Sequence, residues 1–230
     1  MTRSYSNLTN PAIHVLLDTL IDPNSTPEEY RESMQGIGMS LGNTLLAQIV
    51  NTQDGVCIAS LAEDADILTK EVLFRLDSHL ESISFTCFWN QYFLPFNYED
   101  LEVAPIIKKY QEPSSRPIKY ILFIKSIISK FCTIKTDLTD LLQEMNPEKI
   151  FIVAPVISPQ TEQEFRSSFS EIYYKFQFLY FAKDDEFTVE GELEPGIGSN
   201  FYEYLGFSEN TKNRHVPEIV KARRTRFVRA

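Results

Sequence analysis

Two acidic stretches carry side chains that could act as general acids, as bases or as cation ligands. Asp184 and Asp185 follow an apolar run, and Glu63 and Asp64 follow another apolar run much earlier in the chain. Carboxylates accept protons, bond to hydroxyl groups and hold Mg²⁺. If both stretches face one cleft, they predict a ribose site, a Mg²⁺ site or an acid that helps to cleave a glycosidic bond. If they do not, they are ordinary solvated loops.

A short turn near the end of the chain could hold a planar base. Pro195, Gly196, Ile197 and Gly198 follow one another directly. Glycine lets backbone N–H and C=O groups come close to a ligand. The pattern predicts a base-binding loop with Asp184 as a further contact, or a turn that only the fold requires.

Candidate phosphate ligands flank a loop that follows an apolar strand. Lys125, Ser126, Thr133 and Lys135 supply ammonium and hydroxyl donors. The stretch from residue 125 to residue 133 has no glycine and no acidic residue. Glycine usually allows backbone N–H groups to converge on a phosphate. The sequence therefore offers donors without the backbone that normally arranges them.

Aromatic side chains surround two amides at the end of a predicted strand. Trp89, Tyr92 and Phe93 lie beside Asn90 and Gln91. Such rings could stack on a base, or they could belong to the core.

A basic cluster lies at the C-terminal end of a chain whose formal net charge is −10. The cluster predicts attraction to nucleic acid or docking on the acidic body of this chain or of a second copy. Residues 216–220 could anchor it. The basic residues are Lys221, Arg223, Arg224, Arg226 and Arg229.

Composition limits the class of protein. Hydrophobic residues make up 43% of the 230 residues, enough for a substantial core, and the acidic balance argues against a duplex-binding body. Cys57, Cys87 and Cys132 are widely spaced and predict reduced thiols. No apolar run approaches the roughly 20 residues that span a bilayer, and the first residues do not resemble a signal peptide. We expect a cytoplasmic protein without a membrane partner.

Alternating apolar segments predict an α/β fold with a five-stranded parallel sheet. We expect residues 1–53 to form a helical segment packed on the core, 54–207 an α/β domain and 208–230 a basic tail. Glycines 36, 38 and 42 in the second helix predict close packing of another element or, alternatively, a ligand contact. The predicted strands are 56–60, 83–89, 118–124, 150–154 and 176–182, and the predicted helices are 10–21, 26–50, 62–76, 133–145 and one from about 158.

Three of these segments resemble the uracil phosphoribosyltransferases. The family's Ala-Ile-Asp strand end resembles Ala182-Lys183-Asp184, its Val-Pro-Gly-Leu-Gly base loop resembles residues 194–198, and its Leu-Val-Ala-Ala-Pro segment resembles residues 152–155. The resemblance covers roughly residues 54–207. It implies a type I phosphoribosyltransferase-like parallel sheet flanked by helices, with an N-terminal helical addition.

The chain departs from this family where the sugar diphosphate would bind. The family's loop reads Asp-Pro-x-x-Ala-Thr-Gly-Gly-Ser, whereas residues 125–133 contain neither acid nor glycine. The family's Arg-Ala-Gly loop corresponds to Leu61-Ala62-Glu63-Asp64, which has no arginine. The resemblance therefore implies a degenerate site for phosphoribosyl pyrophosphate beside a retained base loop.

Three functions follow from these patterns. The first is a nucleotide- or nucleoside-binding sensor or effector subunit, and the resemblance implies a setting in a bacterial antiphage system, such as a retron operon. The second is an active uracil-type phosphoribosyltransferase or an enzyme that cleaves glycosidic bonds. The third is an oligomeric scaffold that binds nucleic acid through the basic tail. The expected ligand is a nucleotide or nucleobase, the expected assembly a homo-oligomer, and Mg²⁺ the one cofactor considered.

Overall fold

The computed structural model describes residues 3–97, 102–189, 191–198, 201–206 and 214–228. Its helices are α1 (Pro11–Ile21), α2 (Pro27–Gln48), α3 (Lys70–Asp77), α4 (Cys132–Glu144), α5 (Thr161–Ser168), α6 (Phe201–Tyr204) and α7 (Glu218–Val228). Its strands are β1 (Arg3–Tyr5), β2 (Gly55–Leu61), β3 (Ile83–Asn90), β4 (Ile106–Gln111), β5 (Ile118–Ile124), β6 (Ile127–Ile128), β7 (Lys149–Val153), β8 (Val156–Ile157), β9 (Phe176–Leu179), β10 (Ala182–Asp184), β11 (Glu186–Phe187) and β12 (Leu193–Glu194).

The central sheet has six strands in the order β4-β3-β2-β5-β7-β9. Five of them run parallel, and the edge strand β4 pairs antiparallel with β3. Helices cover both faces, as parallel sheets require. Leu17 and Leu41 pack on one face, whereas Leu138 and Phe165 pack on the other. The predicted α/β fold class is therefore confirmed.

The prediction of one strand over residues 176–182 is wrong. The chain leaves the central sheet after Leu179 and enters a second sheet as β10. Phe181 and Ala182 both donate their N–H groups to the carbonyl of Pro155, at 3.0 Å. Because two successive N–H groups share one carbonyl oxygen, the regular parallel register between β7 and β9 ends at this point.

The second sheet lies beyond the carboxyl ends of the central strands. Its order is β1-β10-β8-β6, and β6, β8 and β10 each follow a central strand after a two-residue break. β1 pairs antiparallel with β10, so the N-terminal segment predicted as helical begins with a strand. This small sheet brings the first residues of the chain to the end of the sheet where ligands bind in open α/β folds.

The two N-terminal helices begin and pack much as predicted. Thr26 and Glu29 form a reciprocal capping box at the start of α2. A Cβ atom on Gly38 would lie 2.9 Å from the Leu68 carbonyl oxygen, and one on Gly42 would lie 2.9 Å from the Arg75 Cβ. These contacts favour close packing of α2 on α3 as the role of the glycines.

Two predicted helix starts are wrong. The helix predicted from residue 62 begins with a π turn at Ala65–Thr69 and continues as α3, because Glu63 and Asp64 remain in the loop. The helix predicted from about residue 158 begins at Thr161 instead. Among the described helices, none is long and apolar enough to cross a bilayer.

Candidate functional site

A cleft of about 840 Å³ opens at the carboxyl ends of β2, β3 and β5. The loops after β2 and β5 form its floor, and the turn at residues 193–198 together with α6 forms its opposite wall. Its charged lining residues are Glu63, Asp64, Lys125, Lys130, Glu192 and Glu194. Four carboxylates therefore face two ammonium groups.

The loops after β2 and β5 are joined by their own charges. Asp64 Oδ1 accepts the backbone N–H of Ser126 at 3.0 Å, and the Asp64 side chain is buried. Lys125 Nζ lies 3.7 Å from Glu63 Oε1. A carboxylate of the protein thus accepts the Ser126 backbone N–H, in the loop where the resemblance placed a phosphate.

Burial and charge shift the pKa values of this pair. Burial raises the pKa of Asp64 to about 6, although Lys125 opposes the shift. Burial lowers the pKa of Lys125, but the neighbouring Asp64 and Glu63 outweigh it, so that pKa rises. Lys125 is therefore positively charged in the cleft and electrostatically matched by the two carboxylates.

A second buried carboxyl group lies behind the cleft wall. Asn90 donates from Nδ2 to Asp137 Oδ1 at 2.8 Å and to the Ala104 carbonyl oxygen at 3.0 Å. Burial raises the pKa of Asp137 to about 8. Sequence reasoning missed Asp137, although it lies on the same helical face as Ile134 and Leu141, both buried in α4. An acid within an apolar stripe could have signalled it.

Two of the predicted aromatic side chains line the cleft. They are Trp89, which is 2% exposed, and Tyr92. The Trp89 indole donates to the His215 carbonyl oxygen at 2.7 Å, and Lys130 Nζ lies 4.6 Å from the centre of the Tyr92 ring. Trp89 is therefore both a core residue and a cleft residue, whereas Phe93 lies outside this cleft.

Most of the predicted base loop reaches the cleft. Pro195, Ile197 and Gly198 line it, and Gly196 does not. Buried Tyr30 donates its hydroxyl to the Ile197 carbonyl oxygen at 2.8 Å. A Cβ on Gly198, whose φ is +86°, would lie 2.3 Å from the Leu20 carbonyl oxygen. The N-terminal helices α1 and α2 therefore support this loop, and the close approach of α1 leaves room only for glycine at residue 198.

Asp184 holds the turn at residues 195–198, which was predicted to bind a base, and does not line the cleft. Arg3 Nε and NH2 donate to its two carboxylate oxygens at 2.8 and 2.7 Å. The Gly196 N–H donates to Asp184 Oδ2 at 2.9 Å. Asp185 is exposed and lies outside the cleft. Asp184 and Asp185 therefore do not share the cleft with Glu63 and Asp64. The sequence contained no signal for the role of Arg3.

The four predicted phosphate ligands separate in the structure. Lys125 and Thr133 line the cleft, whereas the Ser126 side chain is buried beside it. Lys135 lines a different, shallow hollow of about 890 Å³ between β4 and α4. Lys130, which sequence analysis did not select, lines the cleft instead.

The donor set does not suit Mg²⁺. Among the described residues, no group of three or more histidine, cysteine, aspartate or glutamate side chains converges as a metal site. Asp64 is bonded to Ser126, and Lys125 competes for the neighbouring carboxylates. The Mg²⁺ prediction therefore gains no support from this geometry.

The C-terminal basic cluster is partly folded onto the body. Arg223 is 6% exposed and bonds through Nε and NH2 to Glu112 at 2.7 and 2.8 Å. Asp66 accepts the Glu218 and Ile219 N–H groups at 2.9 and 3.0 Å and so caps α7. Self-docking is thus the observed role of Arg223.

The other basic residues of the cluster differ from Arg223. Lys221 pairs with Glu218 within α7, and Arg224 is exposed. The side chain of Arg226 and all of Arg229 lie outside the described residues. The nucleic-acid prediction for these residues stays a prediction.

Comparison with solved structures finds a similar architecture. The AQ2163 protein of Aquifex aeolicus is 15% identical and superposes with a TM-score of 0.61, over 87% of this chain and 96% of that one. The parallel-dominated sheet flanked by helices also agrees with the architecture that the resemblance implies. The fold is phosphoribosyltransferase-like.

Two named phosphoribosyltransferases also match this chain. A hypoxanthine phosphoribosyltransferase from Staphylococcus aureus is 25% identical, with a TM-score of 0.40 over 57% of this chain and 66% of that one. An adenine phosphoribosyltransferase from Leishmania donovani is 12% identical, with a TM-score of 0.49 over 82% and 90%. No protein-family model and no curated protein matches the sequence.

Proposed function

We propose that this phosphoribosyltransferase-like chain binds a nucleobase or nucleoside in its cleft and acts as a sensor or effector subunit. It does not transfer phosphoribosyl groups in this proposal. The base is held between the aromatic rings of Trp89 and Tyr92 and the turn at Pro195, Ile197 and Gly198, all of which line the cleft.

The bond between Asp64 and Ser126 carries the proposal. Phosphate sites in loops depend on converging backbone N–H groups. Here the Ser126 N–H is donated to a buried carboxylate of the protein at 3.0 Å. A phosphate at that position would have to displace Asp64 and would be repelled by its charge.

The charge of the cleft supports an uncharged ligand. Glu63, Asp64, Glu192 and Glu194 outnumber Lys125 and Lys130 among its lining residues. Lys125 already lies within ion-pair distance of Glu63. Phosphoribosyl pyrophosphate, which carries several negative charges, fits this lining poorly.

Intrinsic fluorescence offers a direct test, because Trp89 is the single tryptophan of the chain and lines the cleft. The protein is titrated with nucleobases, nucleosides, nucleoside monophosphates and phosphoribosyl pyrophosphate, with and without Mg²⁺. We expect saturable changes with a base or nucleoside and none with phosphoribosyl pyrophosphate. Tighter binding of phosphoribosyl pyrophosphate with Mg²⁺ than of every nucleoside would refute the proposal.

Glu63→Gln sharpens this test. The substitution removes the nearest partner of Lys125 and should improve affinity for the monophosphate, while affinity for the nucleoside changes little. Glu203→Gln is the matched control, since Glu203 is exposed on α6 and does not line the cleft.

A second candidate is hydrolysis of an N-glycosidic bond, favoured by the position of Glu63. It lines the cleft with its Oε1 atom 3.5 Å from the Tyr202 hydroxyl, beside Asp64 with its pKa of about 6. In such a reaction the C1′–N bond breaks, water oxygen bonds to C1′ and the base leaves with a proton. Chromatographic release of free base from a nucleoside, abolished by Glu63→Gln, would establish this function in place of sensing.

The antiphage setting, the homo-oligomer and the nucleic-acid partner stay predictions from the sequence. Among the functions expected from the sequence, a sensor role is the one that the cleft supports best, because the Ser126 N–H is already bonded to Asp64 and is not available to a phosphate. Ligand-dependent change in activity of a protein encoded beside this chain would test it.

A further inference from the structure

The single tryptophan of the chain links the cleft to the residues just before α7. Trp89, at the end of β3, lines the cleft and is buried. Its indole N–H group, which is the one polar group of this side chain, donates to the His215 carbonyl oxygen at 2.7 Å. If His215 moved away, a buried donor would be left unsatisfied, which is unfavourable. The position of the Trp89 ring therefore depends on the position of His215.

The loop after β2 makes a second connection to the same residues. Asp66 lies two residues after Asp64, which lines the cleft, and it belongs to the π turn before α3. Its carboxylate accepts the Glu218 and Ile219 N–H groups at 2.9 and 3.0 Å. Its Oδ2 atom also lies 3.2 Å from His215 Nε2. The start of α7 is thus fixed by a loop that contributes to the cleft floor.

The far end of the same stretch is fixed near the start of β3. Arg223 donates from NH2 to the Ile83 carbonyl oxygen at 3.3 Å, in addition to its two bonds with Glu112. Residues 215–223, called the C-terminal segment below, therefore run along β3 from its end to its start.

The C-terminal segment has few apolar anchors. Among residues 218–225 of α7, Ile219 and Val220 are the buried apolar side chains. Parts of a protein with few buried apolar contacts open at a lower free energy than the core. Release of the C-terminal segment is therefore expected to need less free energy than unfolding of the central sheet.

We propose that the C-terminal segment is the output element of the cleft, and that a ligand which packs against Trp89 stabilises its docked position. The structure combines an open cleft with a docked α7. A ligand that binds this arrangement favours it over one in which Trp89 has lost His215, and docking favours binding by the same factor. The effect of ligand rests on the proposed function, whereas the coupling of Trp89 to α7 is testable without any ligand.

Limited digestion of the full-length protein with trypsin measures release of the segment, because the cleavage site Arg223 is 6% exposed while α7 is docked. Cleavage after Lys149, in β7, reports global unfolding in the same digest. Asp66→Ala removes the acceptor of the first N–H groups of α7. It should accelerate cleavage after Arg223 by about fivefold, as expected for loss of a helix cap, and leave cleavage after Lys149 unchanged.

Hydrogen exchange of the Trp89 indole N–H, followed by NMR, measures the coupling. The single tryptophan gives one indole signal, and Asp66 does not line the cleft. In Asp66→Ala the indole should exchange faster by the same factor as cleavage after Arg223, because both report release of His215 and α7. Accelerated cleavage with unchanged indole exchange would overturn the inference.

Lys70→Ala is the control, because Lys70 is exposed and directly follows the same π turn. It should keep native rates of cleavage and exchange. Equal acceleration in Lys70→Ala, or native cleavage in Asp66→Ala, would also overturn the inference. If Asp66→Ala fails to fold, Arg223→Lys repeats the comparison from the other end of the segment, since lysine cannot make the two-point contact with Glu112 and trypsin still cleaves after it.

The common nucleobases and their ribonucleosides are the probes for the effect of ligand. A compound that saturates the change in Trp89 fluorescence should slow both cleavage after Arg223 and indole exchange by at least about fivefold. Binding without this protection would overturn the inference and leave the proposed function intact. If none of the probes binds, the proposed function fails, and parallel acceleration of cleavage and exchange in Asp66→Ala still supports the coupling of Trp89 to α7.

Discussion

Arg223 on α7 bonds at two points to Glu112 at the end of β4, and both residues are almost fully buried. Glu112 also accepts the Phe85 N–H at 2.9 Å and the Tyr110 hydroxyl at 3.0 Å. This carboxylate therefore joins the edge strand β4, its neighbour β3 and the C-terminal helix α7. Arg223 is a structural residue although its neighbours in the sequence are exposed.

Arg223→Ala should destabilise the protein by about 3–5 kcal/mol, since it leaves the buried charge of Glu112 uncompensated. Urea unfolding measures the change. Arg224→Ala, one residue further along α7 and exposed, is the control and should change the free energy of unfolding by less than about 0.5 kcal/mol. Equal effects of the two substitutions would contradict the role assigned to Arg223.

Arg3→Ala should weaken ligand binding as well as stability. Arg3 neutralises Asp184, and that carboxylate accepts the Gly196 N–H in the turn that is proposed to hold the base. Arg3→Lys should have an intermediate effect, because lysine keeps the charge but cannot make the two-point contact. Affinity is followed by Trp89 fluorescence, with exposed Ser4→Ala as the control. Unchanged affinity in Arg3→Ala would show that Arg3 does not position this loop for ligand binding.

Gly38→Ala should destabilise the protein by about 1–3 kcal/mol despite the better helix propensity of alanine. Its Cβ would meet the Leu68 carbonyl oxygen at 2.9 Å, and backbone cannot move aside cheaply. Gly36→Ala, in the same helix, would meet only the flexible end of Leu16 at 3.0 Å and should be close to neutral. Thermal unfolding of both variants measures the difference, and a reversed order would refute close packing.

Asp137→Asn should flatten the pH dependence of stability. The folded protein holds the Asp137 proton up to about pH 8, whereas the ordinary pKa is 3.8. The folded state thus binds more protons than the unfolded chain between these values, and native stability falls as the pH rises through that window. Urea unfolding at pH 5 and pH 8 should show a smaller fall in Asp137→Asn than in the native protein. Parallel pH profiles would contradict a buried, protonated Asp137.

The sequence predicted the order of strands and helices because their signals are local. The capping box of Thr26 and Glu29 and the apolar run of β5 require only neighbouring residues, and both are present. The turn at Pro195–Gly198 could also be identified from the sequence alone, because the spacing of its glycines reflects local backbone geometry.

The composition of the cleft could not be read from the sequence, because its parts come from distant segments. Arg3 reaches Asp184, Tyr30 reaches Ile197 and Asp64 reaches Ser126 only after the central sheet and its N-terminal helices have assembled. The sequence by itself determined the α/β class and the absence of a glycine-rich phosphate loop. Tertiary structure alone decided which acids face the cleft and which neutralise buried arginines, because burial and charge pairing depend on neighbours that no local pattern specifies.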